Sequence, residues 1–214
     1  MALHPDKKLE IPDSALCHAI TEFVRDQTGD FLFRHSTRVY HWASLSGGRR
    51  QLKFDPELLY AGAMFHDFGL IPAYNRSEFR FEVDGANAAR DFLQSQGVAQ
   101  ADIDRTWLAI ALHTTPGIPQ HLHPEIALLH FGAALDVVGR GYEELTEEER
   151  EAVLALAPRG HGFKQRIIAT FYDALKERPE TTIGTLNDDY LACRDPDFRR
   201  VDVCSLVLNA PWRD

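Results

Sequence analysis

Leu16, Ala19, Ile20, Phe23 and Val24 recur at the three- and four-residue intervals that place apolar side chains on one face of a helix, and Asp13 or Ser14 can serve as its N-cap. A second stripe, Phe31, His35, Val39 and Trp42, follows the capping candidate Asp30 and is expected to stop at Gly47-Gly48. Asp55-Pro56-Glu57 reads as a capped start with proline at the first helical position, and Leu58, Leu59, Gly62, Phe65 and His66 form the stripe that follows until Gly69 and Pro72. Further helices are predicted at Gly85 to Ser95, Asp102 to His113, Pro124 to Val138, Glu147 to Leu156 and Phe163 to Lys176, with Thr146 and Glu149 as a capping box. Only Phe79 to Val83 alternates apolar and polar residues, and it is too short to define a sheet. Loops rich in proline and glycine fall at Thr114 to His123 and Arg178 to Thr185. The expected fold is a single all-α domain.

Three of these stripes carry a polar residue on the face that should be buried: His35, His66 and Asp136. A buried carboxylate costs several kcal/mol unless a cation or several donors meet it, and a metal ion would satisfy Asp136. His66 is followed at once by Asp67, close enough to a helix end for both side chains to converge on one ion. Two imidazoles and two carboxylates suit Zn²⁺, Mn²⁺, Fe²⁺ or Ni²⁺ and not a thiolate site. Water on such an ion has its pKa lowered to about 7, so hydrolysis or hydration needs no serine or cysteine nucleophile. Read singly, each of these residues is more often a hydrogen-bonded core group; their recurrence on separate stripes brings a shared site level with that reading.

Composition narrows the partners. The 214 residues are 44% hydrophobic and 26% charged, ordinary values for a folded domain of this length. The formal net charge of −9 opposes nucleic acid and anionic membrane surfaces, and no apolar run is long enough for a span. Cys17, Cys193 and Cys204 show no CxxC spacing, which fits a reducing compartment and leads to the expectation of a cytoplasmic protein with a small-molecule substrate. A homo-oligomer is compatible with all of this.

The residues also carry a resemblance. His35, His66-Asp67 and Asp136 follow the H…HD…D signature of the HD-domain metal-dependent hydrolase superfamily. The local contexts around His35 (Arg34 to Tyr40), Phe65-His66-Asp67-Phe68-Gly69 and Leu135-Asp136-Val137-Val138-Gly139 resemble its cyanamide hydratase-like branch. So do Phe79 to Gly85, His161 to Gln165, Arg178 to Gly184 and Asn209 to Trp212. The resemblance implies one HD domain over residues 1–214, with an N-terminal helix and extension (1–29), a ligand-bearing core (30–140) and C-terminal helices (141–214). It implies one divalent metal, zinc or iron, on His35, His66, Asp67 and Asp136, and addition of water to a nitrile carbon. The chain departs from the hydratases where Thr114-Thr115-Pro116-Gly117-Ile118-Pro119 follows His113 and where the third helix ends Phe68-Gly69-Leu70.

Within that frame, His113 and Asp67 are the catalytic candidates, His113 as proton donor at the end of its helix. His113, Glu82, Arg38 and Lys164 are the substrate-binding candidates, with Glu82 also a candidate base or partner of a ligand histidine. His121 and His123, one residue apart on a loop, are expected to face solvent. An HD-type phosphohydrolase is the runner-up, and Arg34, Arg38, Arg76 and Lys164 are the cations it would draw on. A di-iron oxygenase and a catalytically idle HD module stand further back.

Overall fold

Ser14 opens the first helix, its hydroxyl accepting from the amide of Cys17 at 3.2 Å, and α1 runs Ala15–Gln27 with Cys17, Ile20 and Val24 buried. This is seen in a computed structural model that describes residues 9–75 and 77–212. Helix α2 spans Asp30–Arg49. Its cap is Gly29, while Asp30 is already helical and pairs with Arg34 at 2.9 Å. The expected stop at Gly47-Gly48 does not occur. A β-carbon on Gly47 would come within 2.5 Å of the Phe54 ring, so that glycine makes room for a neighbour and the helix continues.

Asp55 caps α3, Pro56–Phe65, accepting from the amides of Glu57 and Leu58. His66-Asp67 then turns into a short 3-10 segment, Phe68–Leu70. Helix α4 covers Phe81–Ser95 and begins four residues ahead of the predicted start, because the alternating Phe79 to Val83 segment enters the helix with Phe81 and Glu82 buried and Phe79 outside. Then come α5 (Gln100–Leu112), α6 (Pro124–Val138), α7 (Glu147–Leu156, opened by the Thr146/Glu149 capping box) and α8 (Phe163–Leu175). Two short helices, α9 (Asp188–Arg194) and α10 (Val203–Leu208), were not anticipated. The described residues form ten helices and no strand, and no helix among them is long and apolar enough to cross a membrane.

Helix α2 lies against α6 and α3, and α4 against α5. The contact of α2 with α6 is close enough that a β-carbon on Gly132 would sit 2.4 Å from the Val39 carbonyl oxygen. Val39, Tyr60, Phe65, Ile110 and Leu129 belong to the main core, and Phe81, Phe163, Phe171 and Leu191 to a second layer built by α8 and α9. His35 on the α2 stripe and His66 at the end of α3 share a cavity with Phe171 of that second layer.

Candidate metal centre

Helix α2 contributes His35 and the turn after α3 contributes His66 and Asp67, all buried. His35 Nε2 lies 3.2 Å from His66 Nε2 and 3.4 Å from Asp67 Oδ2, and His66 Nε2 lies 3.3 Å from the same oxygen. Ligands at zinc-nitrogen and zinc-oxygen bond lengths, placed at the corners of a tetrahedron, stand about 3.3–3.4 Å apart. The three side chains already have that spacing.

Hydrogen bonding turns each imidazole the right way for this role. His66 Nδ1 lies 2.7 Å from the Ala63 carbonyl oxygen and His35 Nδ1 lies 2.7 Å from Asp136 Oδ2. An oxygen partner accepts, so Nδ1 carries the proton in each ring and the Nε2 lone pair is left facing the centre. Both oxygens of Asp67 are buried without a hydrogen-bond partner, a state that costs several kcal/mol unless a cation meets them. Two converging lone pairs and a bare carboxylate therefore fit a divalent ion, and His35, His66 and Asp67 can hold one. Burial opposes ionisation of both partners, yet the neighbouring carboxylates of Asp136 and Asp67 push His35 up to about 9, and the charges of His66 and His35 hold Asp67 well below the carboxylate range, so binding of an ion displaces the proton that His35 Nε2 otherwise carries.

Asp136 stands elsewhere than its expected place as a direct ligand. Arg38 donates to its two oxygens, each at 2.8 Å, and Trp42 Nε1 donates to Oδ1 at 2.9 Å. Its remaining contact with the centre is the bond to His35 Nδ1. The cation that a buried carboxylate requires is thus supplied by a guanidinium, and Asp136 aims a ligand histidine from behind. Arg38, placed by sequence among substrate contacts, is 1% exposed and spent on Asp136 and the carbonyls of Ala157 and Pro158, so it is closed to substrate.

His113 follows α5, and its Nδ1 bonds the Ile110 carbonyl at 2.7 Å. Its Nε2 lone pair faces Asp67 Oδ1 at 3.8 Å. Burial, reinforced by His66, pulls His113 down to about 4. Glu82 is fully buried but accepts from Arg80 and Asn187, each at 2.9 Å, and from Thr114, not from a ligand histidine. It braces Thr114 and Asn187, which line the cavity. Lys164 is exposed and lines a different cleft, beyond Asp136. Arg34 is at the surface with Asp30, Arg76 lies outside the described residues, and His121 and His123 face solvent as expected.

The cavity over the centre has a volume of about 170 Å³ and opens between α6, α8 and α9. Ala133, Ala134, Val137 and Phe171 wall it. Three lining residues escaped the sequence reading: His130, Asn187 and Tyr190. His130, half-buried in the apolar run of α6, bonds the His113 carbonyl through Nδ1 at 2.7 Å. Tyr190 stacks on Phe171 with centroids 4.3 Å apart, and burial, with Asp67 behind it, pushes its hydroxyl up to about 12. Asn187 and Tyr190 lie in and just before a short helix with little periodicity, so no local pattern marked them.

No curated protein shows a significant match to the chain. The HD domain matches residues 32–182, a span that holds His35, His66-Asp67, His113 and Asp136. With a helical fold and a buried His/Asp cluster inside the matched span, the chain belongs to the HD domain family of metal-dependent hydrolases.

Proposed function

We propose that the protein is a metal-dependent enzyme that adds water to a small uncharged substrate, with a nitrile-like compound, cyanamide first, as the class. The observation that carries this reading is the cavity. At about 170 Å³ it is below the ~300–1,000 Å³ of sites that enclose drug-sized ligands. Its walls are mainly aliphatic and aromatic, and Arg140, at the exposed rim, is the one Lys or Arg among its described lining residues. A phosphomonoester would need cations converging beside the centre, and Arg38 and Lys164 are turned elsewhere.

A divalent ion held by His35, His66 and Asp67 would supply hydroxide near neutral pH by lowering the pKa of water to about 7. The chain's own part is positioning and proton transfer. His113 Nε2, unprotonated and facing the centre, accepts a proton from water as oxygen bonds to the nitrile carbon. It then returns that proton to the nitrogen, which gains negative charge as the triple bond opens. Proton transfer within the resulting isourea gives urea, so all atoms of water and cyanamide are retained. Asn187 and Thr114, both held by Glu82, offer polar groups at the wall to orient the amino end of the substrate.

Elemental analysis of protein never exposed to chelator, followed by assays with cyanamide, acetonitrile and nucleoside monophosphates, tests the reading. About one equivalent of a first-row metal and urea formation from cyanamide are expected. Less than about a tenth of an equivalent would remove the metal. Phosphate release from nucleotides without any nitrile hydration would replace the reading with the phosphohydrolase.

A further inference from the structure

A second cleft, of about 610 Å³, opens on the far side of Asp136 from the metal centre. Val137 and Val138 line both spaces, but His35, His66 and Asp67 line only the first and Arg150, Arg159 and Lys164 only the second. The chain as a whole is acidic, with a net charge of −9, yet this cleft gathers three cations. The carboxylate in its wall, Asp136, is already occupied by Arg38 and Trp42. Nearby Glu144 and Glu149 are engaged with Arg50 and Arg49.

The two guanidiniums are held in place and still have donors to spare. Arg159 gives only Nη1, to the main-chain oxygen of Asp136 at 2.6 Å and to Oδ1 at 3.2 Å, while its guanidinium lies 3.8 Å over the Phe163 ring. Arg150 likewise gives Nη1 to the carbonyls of Tyr142 and Leu145 and stacks at 4.1 Å over Tyr142. Neither has a bond from Nε or Nη2 among the described residues. Lys164 is exposed and makes no ion pair among them. Two guanidinium forks and an ammonium suit a doubly charged oxyanion better than a single carboxylate. Tyr142, Leu145 and Leu154 supply apolar surface beside them, and the volume falls in the ~300–1,000 Å³ range of small-molecule sites.

We propose that this cleft is a second ligand site, separate from the metal cavity, that takes a small phosphate monoester with an apolar body. Its described lining residues include no free histidine or carboxylate for chemistry, so its occupant is bound and not turned over.

Calorimetric titration of the metal-loaded full-length protein with phenyl phosphate, and in parallel with inorganic phosphate, tests this. Saturable binding that weakens with added salt is expected, tighter for phenyl phosphate than for inorganic phosphate. Lys164→Gln and Arg150→Gln should each weaken it by about tenfold, the size of one charge-assisted hydrogen bond, with metal content unchanged. Lys164 is at the surface, so its variant is expected to fold even if Arg150→Gln does not. Absence of saturable heat, affinity within twofold of wild type in Lys164→Gln, or loss of binding in His113→Ala, which would place the ligand in the metal cavity, would each overturn the proposal.

Discussion

At the scale of single residues, the centre is organised by what each imidazole does with Nδ1. His35 bonds Asp136, His66 bonds Ala63 and His113 bonds Ile110, so all three turn the same nitrogen inward. Asp136 is the one of these partners that carries charge, and it also neutralises Arg38. Asp136→Asn should therefore act twice. Leaving Arg38 buried without its counter-ion is expected to cost about 3–5 kcal/mol in a denaturant titration. Loss of the charge behind His35 should weaken metal binding by about 10–100-fold in a competition assay. Unchanged metal affinity would mean that His35 needs no partner. His113 predicts the opposite split. His113→Ala should keep its metal and its fold and lose about 10²–10⁴ in kcat on the hydrated substrate. Loss of metal in that variant would make His113 a ligand.

At the scale of elements, two glycines in α2 and α6 make contrasting tests. A β-carbon at Gly132 would meet the Val39 carbonyl at 2.4 Å, so Gly132→Ala must separate α2 from α6 and is expected to destabilise by about 1–3 kcal/mol in urea. A β-carbon at Gly48 meets nothing within 4 Å, so Gly48→Ala should stabilise by about 0.5–1 kcal/mol through helix propensity. Equal effects would mean that the helix contact yields freely. Gly47-Gly48 also shows where the sequence misleads: a glycine pair reads as a stop, but packing against Phe54 is a tertiary reason for glycine that no local pattern reveals. Helices with a cap and a clear stripe, such as α1, α3 and α7, were legible. The start of α4 was not, because Phe79 and Phe81 alternate like a strand while only Phe81 is buried. The site was legible as far as its buried polar residues. That Asp136 meets Arg38 was foreshadowed by His35, Arg38 and Trp42 falling at helical spacing on one face of α2, a pattern that only becomes decisive once α6 is known to lie against it.

At the scale of the whole molecule, one consequence of burying α2 is acid sensitivity away from the metal centre. His41 is 2% exposed, its Nδ1 has no hydrogen-bond partner, and burial pulls it down to about 4 from its ordinary 6.5. The unfolded chain binds a proton at His41 near pH 6.5 and the folded chain only near 4, so between those values the unfolded state holds more protons. Stability must then rise with pH across that window. The contribution is fully present above about pH 6.5 and lost progressively as the pH falls, and the loss reaches about 3 kcal/mol once both states are protonated. Other carboxylates begin to titrate at the bottom of the same range, so the test is a difference. Urea unfolding of the wild type and of His41→Leu, which is of similar bulk and cannot be protonated, should be compared at pH 7.5 and pH 5. The wild type is expected to lose about 2 kcal/mol more than the variant over that interval. Equal losses would mean that His41 is reached by a proton, or by water, without unfolding α2.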